Sequence, residues 1–290
     1  MTKTRSRLPL ALLAALLFEG CTSLGLTAAN IPAAFGDYHR DYDLAYGKAD
    51  RQKLDVYVPT GSATHRHPVV VFFYGGGWTH GAKEQYRFVA AALAARGFVV
   101  VVPNYRLYPE VRFPLFVDDA ALAVRWVHDN VASFGGDPAR LVLLGHSAGA
   151  HIAAMLTFDE RYLQRAGVDP DLIRGFIGLA GPYDFLPIID PVVQQVFASL
   201  EDPKESQPIH YVDGTEVPTL LMHGDADQRV SPTNTEHLAA RIRERGGCVI
   251  EREFPGMSHS GILAALSVYF RGRKPVLDEI SRFVEKVAPE

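Results

Sequence analysis

Leu141-Val-Leu-Leu-Gly-His-Ser-Ala-Gly-Ala-His151 sets a short apolar run directly before Gly145-His146-Ser147-Ala148-Gly149, and a small-residue, helix-forming segment, Ala150 to Leu156, follows at once. The order is strand, sharp turn, helix, with a serine at the apex. That context turns a G-x-S-x-G match into a nucleophile elbow. Gly145 and Gly149 lack the side chains that would crowd such a turn. Ser147 is therefore expected in a strained but exposed position, with the next backbone N–H beside it. The five-residue pattern alone arises by chance; the flanking strand and helix separate it from an ordinary loop serine.

Working upstream, Pro68 to Phe73 is a continuous apolar run, the kind buried on both sides in a parallel sheet. It leads into Tyr74-Gly-Gly-Gly-Trp78, whose glycines allow backbone conformations and close approaches that side chains forbid. Glu84 to Arg96 reads as an amphipathic helix with Phe88, Ala91, Ala92 and Ala95 on one face. Gly97 to Val102 is the next buried strand, and Leu115 to Val131 a helix closed by Phe134-Gly-Gly-Asp-Pro138. Earlier still, Asp41–Ala45 and Lys53–Val58 look like strands, the second alternating as an antiparallel strand with one wet face does.

Downstream, Leu172–Leu179, Pro218–His223 and Val249–Phe254 read as strands, and Asn234–Glu244 and Val276–Val287 as helices. Pro182 to Glu216 breaks this rhythm and is expected to form a small cap over the sheet's C-terminal edge. Alternation from about residue 68 onward predicts an α/β fold, a mostly parallel central sheet with helices on both faces. Such sheets bind ligands outside the carboxyl ends of their strands. The segments after Phe73, after Gly145 and after His223 all fall there.

The chain has 290 residues, 48% of them hydrophobic and 21% charged, with a net charge of −4. A packed core is within reach, wholesale disorder is excluded, and the lack of a long basic run argues against nucleic acid as a partner. Residues 1–20 read as an export signal: Lys3, Arg5 and Arg7 precede an apolar run from Leu8 to Phe18, too short for an ordinary membrane span. Leu17-Phe-Glu-Gly-Cys21 resembles a bacterial lipoprotein box, which makes Cys21 a lipidation site and places the protein in a bacterial cell envelope, the membrane reached only through that anchor. Cleavage after Thr27-Ala-Ala29, giving a soluble exported form, is the alternative. Residues 21–40 are expected to be a tether and 41–290 a single α/β domain, with the cap inserted at about 182–216. The second cysteine, Cys248, has no partner if Cys21 is lipidated or removed, and reads as a buried structural thiol.

A serine hydroxyl needs a base, and the base an orienting group. His259 lies in Phe254-Pro-Gly-Met-Ser-His-Ser-Gly261, a loop after the last strand. The acid should follow the preceding strand, where His223-Gly-Asp-Ala-Asp227 offers two carboxylates. Asp227 is the choice for the acid; Asp225 is assigned to fixing the turn. Backbone N–H groups of Gly76, Gly77 and Ala148 are the candidates for stabilising a developing oxyanion. His223 and His151 sit in separate motifs without ligand spacing, so no metal is expected.

These segments, with Asn104-Tyr-Arg106 and Asp118-Asp119, resemble the alpha/beta-hydrolase superfamily of carboxylesterases, in particular its hormone-sensitive-lipase-like and feruloyl-esterase-like groups and their kynurenine-formamidase and prenylcysteine-methylesterase relatives. Tyr74 stands where that group has histidine. The resemblance covers residue 40 to the end. It implies a triad of Ser147, Asp227 and His259, an oxyanion hole of Gly76, Gly77 and Ala148, no cofactor, and hydrolysis of short- to medium-chain or aryl carboxylic esters through an acyl-enzyme. An arylformamidase or amidase is the alternative enzyme, and an envelope binding protein on a hydrolase scaffold the non-enzymatic one.

Overall fold

The computed structural model describes residues 24–61 and 66–289. The expected export signal and Cys21 lie outside the described residues. Residues 24–33, expected to be part of a tether, instead form a helix, α1. It is docked: Ala33 is buried, and Leu26 and Ala29 pack against the core. The Asn30 side-chain N–H donates to the carbonyls of Glu84 and Gln85 (3.1 and 2.9 Å), and its oxygen accepts from the Phe88 N–H at 2.9 Å. A ten-residue segment that carries Gly25 and Pro32 still folds as helix when such anchors hold it.

Eight strands form one sheet: β1 (Tyr38–Ala45), β2 (Lys53–Pro59), β3 (His67–Phe73), β4 (Val99–Pro103), β5 (Gly136–His146), β6 (Ile173–Leu179), β7 (Thr219–Gly224) and β8 (Val249–Phe254). Their spatial order is β1-β2-β4-β3-β5-β6-β7-β8. The β1/β2 and β2/β4 pairs are antiparallel and every later pair is parallel. The helices that follow α1 are α2 (Arg87–Ala94), α3 (Leu115–Asn130), α4 (Ala148–Phe158), α5 (Arg161–Arg165), α6 (Pro191–Val196), α7 (Thr233–Glu244), α8 (His259–Ala264) and α9 (Val276–Val287). This is the α/β fold with a mostly parallel sheet that the alternation predicted, and the alpha/beta-hydrolase arrangement that the resemblance implied.

β5 lies near the middle of the sheet, with Leu143 paired to Val71 on one side and Phe176 on the other. Its Leu141–Leu144 run is fully buried, because helices cover both faces of a parallel sheet. The core continues through Val99–Val102 of β4 and the inward sides of α3 and α4. Burying this much apolar surface, at about 25 cal/mol per Å², is what holds the strand ends in place.

Three local expectations change. The helix expected from Glu84 begins as a 3₁₀ turn, Lys83–Tyr86, before α2 takes over. The Lys83 N–H is held by the Asn104 side-chain oxygen at 2.8 Å, which fixes that tighter entry. Cys248 is exposed rather than buried. It precedes β8, the edge strand, where its carbonyl accepts from the Thr219 N–H (2.9 Å) and the side chain is left to solvent. His259, read as a loop residue, is the first residue of α8.

Segment 182–216 holds α6 and two 3₁₀ turns, Pro203–Ser206 and Pro208–Tyr211. Its prolines are helix starts as much as breakers. Asp190 caps α6 by accepting from the Val192 and Val193 N–H groups, with Pro191 at the first helical position, where its missing N–H costs nothing. Among the described residues no helix is long and apolar enough to cross a membrane.

Candidate active site

Ser147 stands between β5 and α4 with φ 55° and ψ −124°, a conformation costly for any residue with a side chain. The surroundings enforce it. A Cβ on Gly145 would lie 2.3 Å from the Gly149 carbonyl oxygen, and one on Gly149 would lie 2.1 Å from that of Phe73. The turn can be this tight only because both positions are glycine. The Ser147 N–H donates to the Leu179 carbonyl of β6 at 2.9 Å, tying the apex to the neighbouring strand.

His259 reaches this apex from the other end of the chain. The Ser147 Oγ–H donates to His259 Nε2 at 2.9 Å, and His259 Nδ1–H donates to Asp227 Oδ2 at 2.7 Å. Ser258 caps α8 by accepting from the Gly261 N–H (3.2 Å), which sets the direction in which the ring leaves the helix. His146, beside the serine, donates from Nε2 to the His259 carbonyl at 3.1 Å, and its ring lies 4.9 Å from the His259 ring. Burial, reinforced by the nearby His259, pulls the His146 imidazole down to about 3, so it stays neutral and acts as a prop.

Asp227 is buried at the end of β7. Its Oδ1 accepts from the backbone N–H groups of Arg229 and Val230 (2.8 and 3.0 Å). Burial alone would raise this carboxyl. Hydrogen bonds from His223 and His259, the His259 charge and the Val230 N–H outweigh it and hold the group well below the usual carboxylate range. Asp225, the alternative acid, is turned elsewhere: its Oδ1 accepts from the Gly256 N–H at 2.6 Å and ties the loop after β7 to the loop after β8.

The glycine loop adjoins the serine. A Cβ on Gly75 would stand 2.9 Å from Ser147 Cβ. Gly76 has φ 136° and would clash with the His80 carbonyl if it carried a side chain, and Gly77 has φ 56°. Among the described residues, the N–H groups of Gly76, Gly77 and Ala148 donate to no other backbone or side-chain group, which leaves them open to a ligand.

Tyr74 answers how this loop is braced without the usual histidine. Its ring is sandwiched between Tyr86 (5.1 Å) and Tyr105 (4.8 Å). Its hydroxyl donates to Asn104 Oδ1 at 2.7 Å and accepts from Arg51 Nη2 at 2.9 Å. Arg51 also donates to the carbonyls of Gly81 and Tyr105, both at 2.8 Å, so one guanidinium pins both ends of the loop. Sequence reading missed Arg51: an arginine next to a turn carries no spacing signal for a partner twenty-three positions on.

Beyond the loop, Trp78 meets Phe185 and Phe197 of segment 182–216 with ring centroids 6.1 and 5.0 Å apart. His151, one helical turn after the serine, is enclosed by the same aromatics and donates from Nε2 to the Ser206 carbonyl at 2.8 Å. Burial pulls its imidazole down to about 4. His223, set aside above as a metal ligand, is instead a second donor to Asp227, from Nε2 to Oδ2 at 3.1 Å. Among the described residues no group of three or more His, Cys, Asp or Glu side chains is placed to hold a metal. A cavity of about 600 Å³ opens at the other end of the strands, by Ile173, Pro218 and Cys248, away from these residues.

The family model named BD-FAE matches residues 54–242, a span from β2 to α7 that includes Gly76, Gly77, Ser147, Ala148 and Asp227. The chain belongs to the BD-FAE family. This BD-FAE member is 30% identical over 222 residues to isoprenylcysteine alpha-carbonyl methylesterase of Arabidopsis thaliana, covering 68% of this chain and 52% of that protein. It is 29% identical over 261 residues to esterase LipQ of Mycobacterium tuberculosis (81% and 62%). It is 34% identical over 160 residues to kynurenine formamidase of Danio rerio (55% and 52%). The chain spans between about 40% and 63% of the length of the curated relatives it matches. Among solved structures, esterase B from Lactobacillus rhamnosis, inhibited by a tributyrin phosphonate, superposes with a TM-score of 0.78 at 20% identity over 95% of this chain and 96% of that one. Butyrate-bound Est2 from Thermogutta terrifontis does so with 0.70 at 24% identity over 88% and 96%. Both have the alpha/beta-hydrolase fold described here.

Proposed function

We propose that this BD-FAE member is a serine carboxylesterase that hydrolyses short- to medium-chain or aryl esters through an acyl-enzyme on Ser147. The observation that carries the reading is the unbroken relay from Ser147 Oγ to His259 (2.9 Å) to Asp227 (2.7 Å). Ser147 attacks the ester carbonyl while His259 Nε2 takes its proton, and the carbonyl carbon becomes tetrahedral. His259 then protonates the departing alkoxide, leaving the acyl group on Oγ. Water attacks the acyl-enzyme with His259 again as base, releasing the acid and restoring the serine. Asp227 stays ionised throughout, which fixes the imidazole tautomer and stabilises the imidazolium. The N–H groups of Gly76, Gly77 and Ala148 receive the oxyanion, each worth about 3–4 kcal/mol in the transition state.

The esterase names of two of its relatives support this reading. The test is turnover of p-nitrophenyl acetate and butyrate by purified protein and by Ser147→Ala. Turnover lost in the variant is expected; turnover equal in both would end the proposal. Similarity to a kynurenine formamidase favours a second reading, formamide hydrolysis by the same relay. N-formylkynurenine cleaved much faster than either ester would establish it. A fluorophosphonate probe that leaves Ser147 unlabelled would instead point to a binding protein. Lipidation of Cys21 and placement in the cell envelope rest on the sequence of residues 1–21; release of Cys21→Ala from the membrane fraction is the outcome that reading requires.

A further inference from the structure

Asp227 serves two histidines through one oxygen. Oδ2 accepts from His259 Nδ1 at 2.7 Å and from His223 Nε2 at 3.1 Å. The His223 ring is buried at the end of β7 and held from both sides. Thr235 Oγ1 of α7 lies 2.7 Å from its Nδ1, and the Val230 carbonyl lies 3.1 Å from its Nε2. Nε2 thus faces two acceptors, a carboxylate and a carbonyl, so the ring hydrogen of the neutral form sits there. Nδ1 accepts from the Thr235 hydroxyl. The other carboxylate oxygen, Oδ1, is already fixed by the Arg229 and Val230 N–H groups. His223 is therefore not needed to keep Asp227 in place. What it adds falls on Oδ2, the atom facing the catalytic imidazole.

We infer that His223 is a positioning residue acting through Asp227: its hydrogen bond to Oδ2 takes up part of the carboxylate charge that would otherwise fall on the His259 imidazole. This rests on the catalytic roles proposed above. A carboxylate that gives up a donor becomes a stronger partner for an imidazolium. Losing His223 therefore makes His259 harder to deprotonate. The titratable groups that bear on His223 are Asp227 from the loop after β7, which it shares with His259 of α8, and His146 from the end of β5. His146 is held neutral by burial.

The test compares His223→Phe, which has no donor, with His223→Gln, whose amide nitrogen can replace Nε2–H. In the full chain, the acid limb of kcat/KM for p-nitrophenyl acetate should move up by about half to one pH unit in the Phe variant. KM should stay unchanged, and the Gln variant should keep the parent's profile. NMR titration of ring-labelled His259 should show the same upward shift without any substrate. That readout keeps this inference separate from the esterase reading, which fails on its own if the parent turns over no ester. An unmoved or lowered His259 midpoint in folded His223→Phe overturns the inference. Should that variant not fold, Thr235→Val frees Nδ1 while leaving the ring in place; a smaller upward shift is expected, and an unmoved midpoint there also overturns it.

Discussion

The Ser147 hydroxyl and the His259 imidazole are 112 positions apart in the chain and 2.9 Å apart in the fold. Each is held by something other than the other. The serine is fixed by the strained elbow and its bond to Leu179, and the histidine by the Ser258 cap and the His146–His259 carbonyl contact. Ser147→Ala should therefore lower kcat for p-nitrophenyl acetate by about 10⁴- to 10⁶-fold while leaving the melting temperature within a degree or two. A variant that loses activity by unfolding would contradict this account.

The two carboxylates of the loop after β7 should separate cleanly. Asp227→Asn should cost about 10⁴ in kcat, because the imidazole loses its tautomer lock. Asp225→Asn should cost less than about tenfold, since Asp225 only joins two loops. Because the Asp227 carboxyl is held far below its ordinary value, its stabilising effect is fully present above the unfolded value of about 3.9 and is lost progressively as pH falls from there towards the lower folded one. Circular dichroism down to pH 3 on parent and Asp227→Asn measures this.

Buried neutral histidines act with the opposite demand. The folded chain holds His146 near 3 and His151 near 4, whereas the unfolded chain takes up protons near 6.5. Between about pH 6.5 and 4 the unfolded state binds more protons, so stability falls as pH falls, by about 2 kcal/mol per histidine at pH 5. Melting temperatures from pH 7.5 to 5 should decline steeply. His151→Gln, whose amide can still reach the Ser206 carbonyl, should flatten the slope; an unaltered slope would count against this.

Arg51→Ala strips donors from the Tyr74 hydroxyl and the carbonyls of Gly81 and Tyr105. The expected loss is about 1–3 kcal/mol of stability, read by urea unfolding. If the glycine loop it steadies offers its N–H groups to the transition state, as proposed above, kcat should fall about tenfold with KM nearly constant. A rise in KM alone would place Arg51 on the substrate side instead.

Gly149→Ala tests the elbow's sterics. The added methyl would lie 2.1 Å from the Phe73 carbonyl oxygen, and backbone in the sheet cannot yield. A loss of about 3 kcal/mol or more is expected, read as a collapse in soluble yield or melting temperature.

Much of this was visible in local pattern. Runs such as Val69–Phe73 and Leu141–Leu144 are apolar without alternation because both sheet faces are covered, and that single fact announces parallel strands. Gly145 and Gly149 announce the elbow because only hydrogen fits where α4 passes β5 and the end of β3. Of the two carboxylates after β7, the structure sets Asp227 against His259 and Asp225 against the Gly256 N–H. Other features left no trace. The helix at residues 24–33 depends on Asn30 meeting carbonyls more than fifty positions away. Cys248 looked like core because its neighbours are strand-like, but an edge strand buries only one side.

The sequence by itself determined the strand–helix alternation, the glycine-permitted turns and the chain order of serine, acid and histidine, because these follow from backbone sterics and side-chain periodicity over a few residues. Only the tertiary structure decided that His223 shares an oxygen of Asp227 with His259, that Arg51 and Tyr74 brace the glycine loop, and that His146 props the imidazole. Those contacts join distant segments through single polar atoms, and such meetings are fixed by how the sheet is assembled rather than by any spacing along the chain.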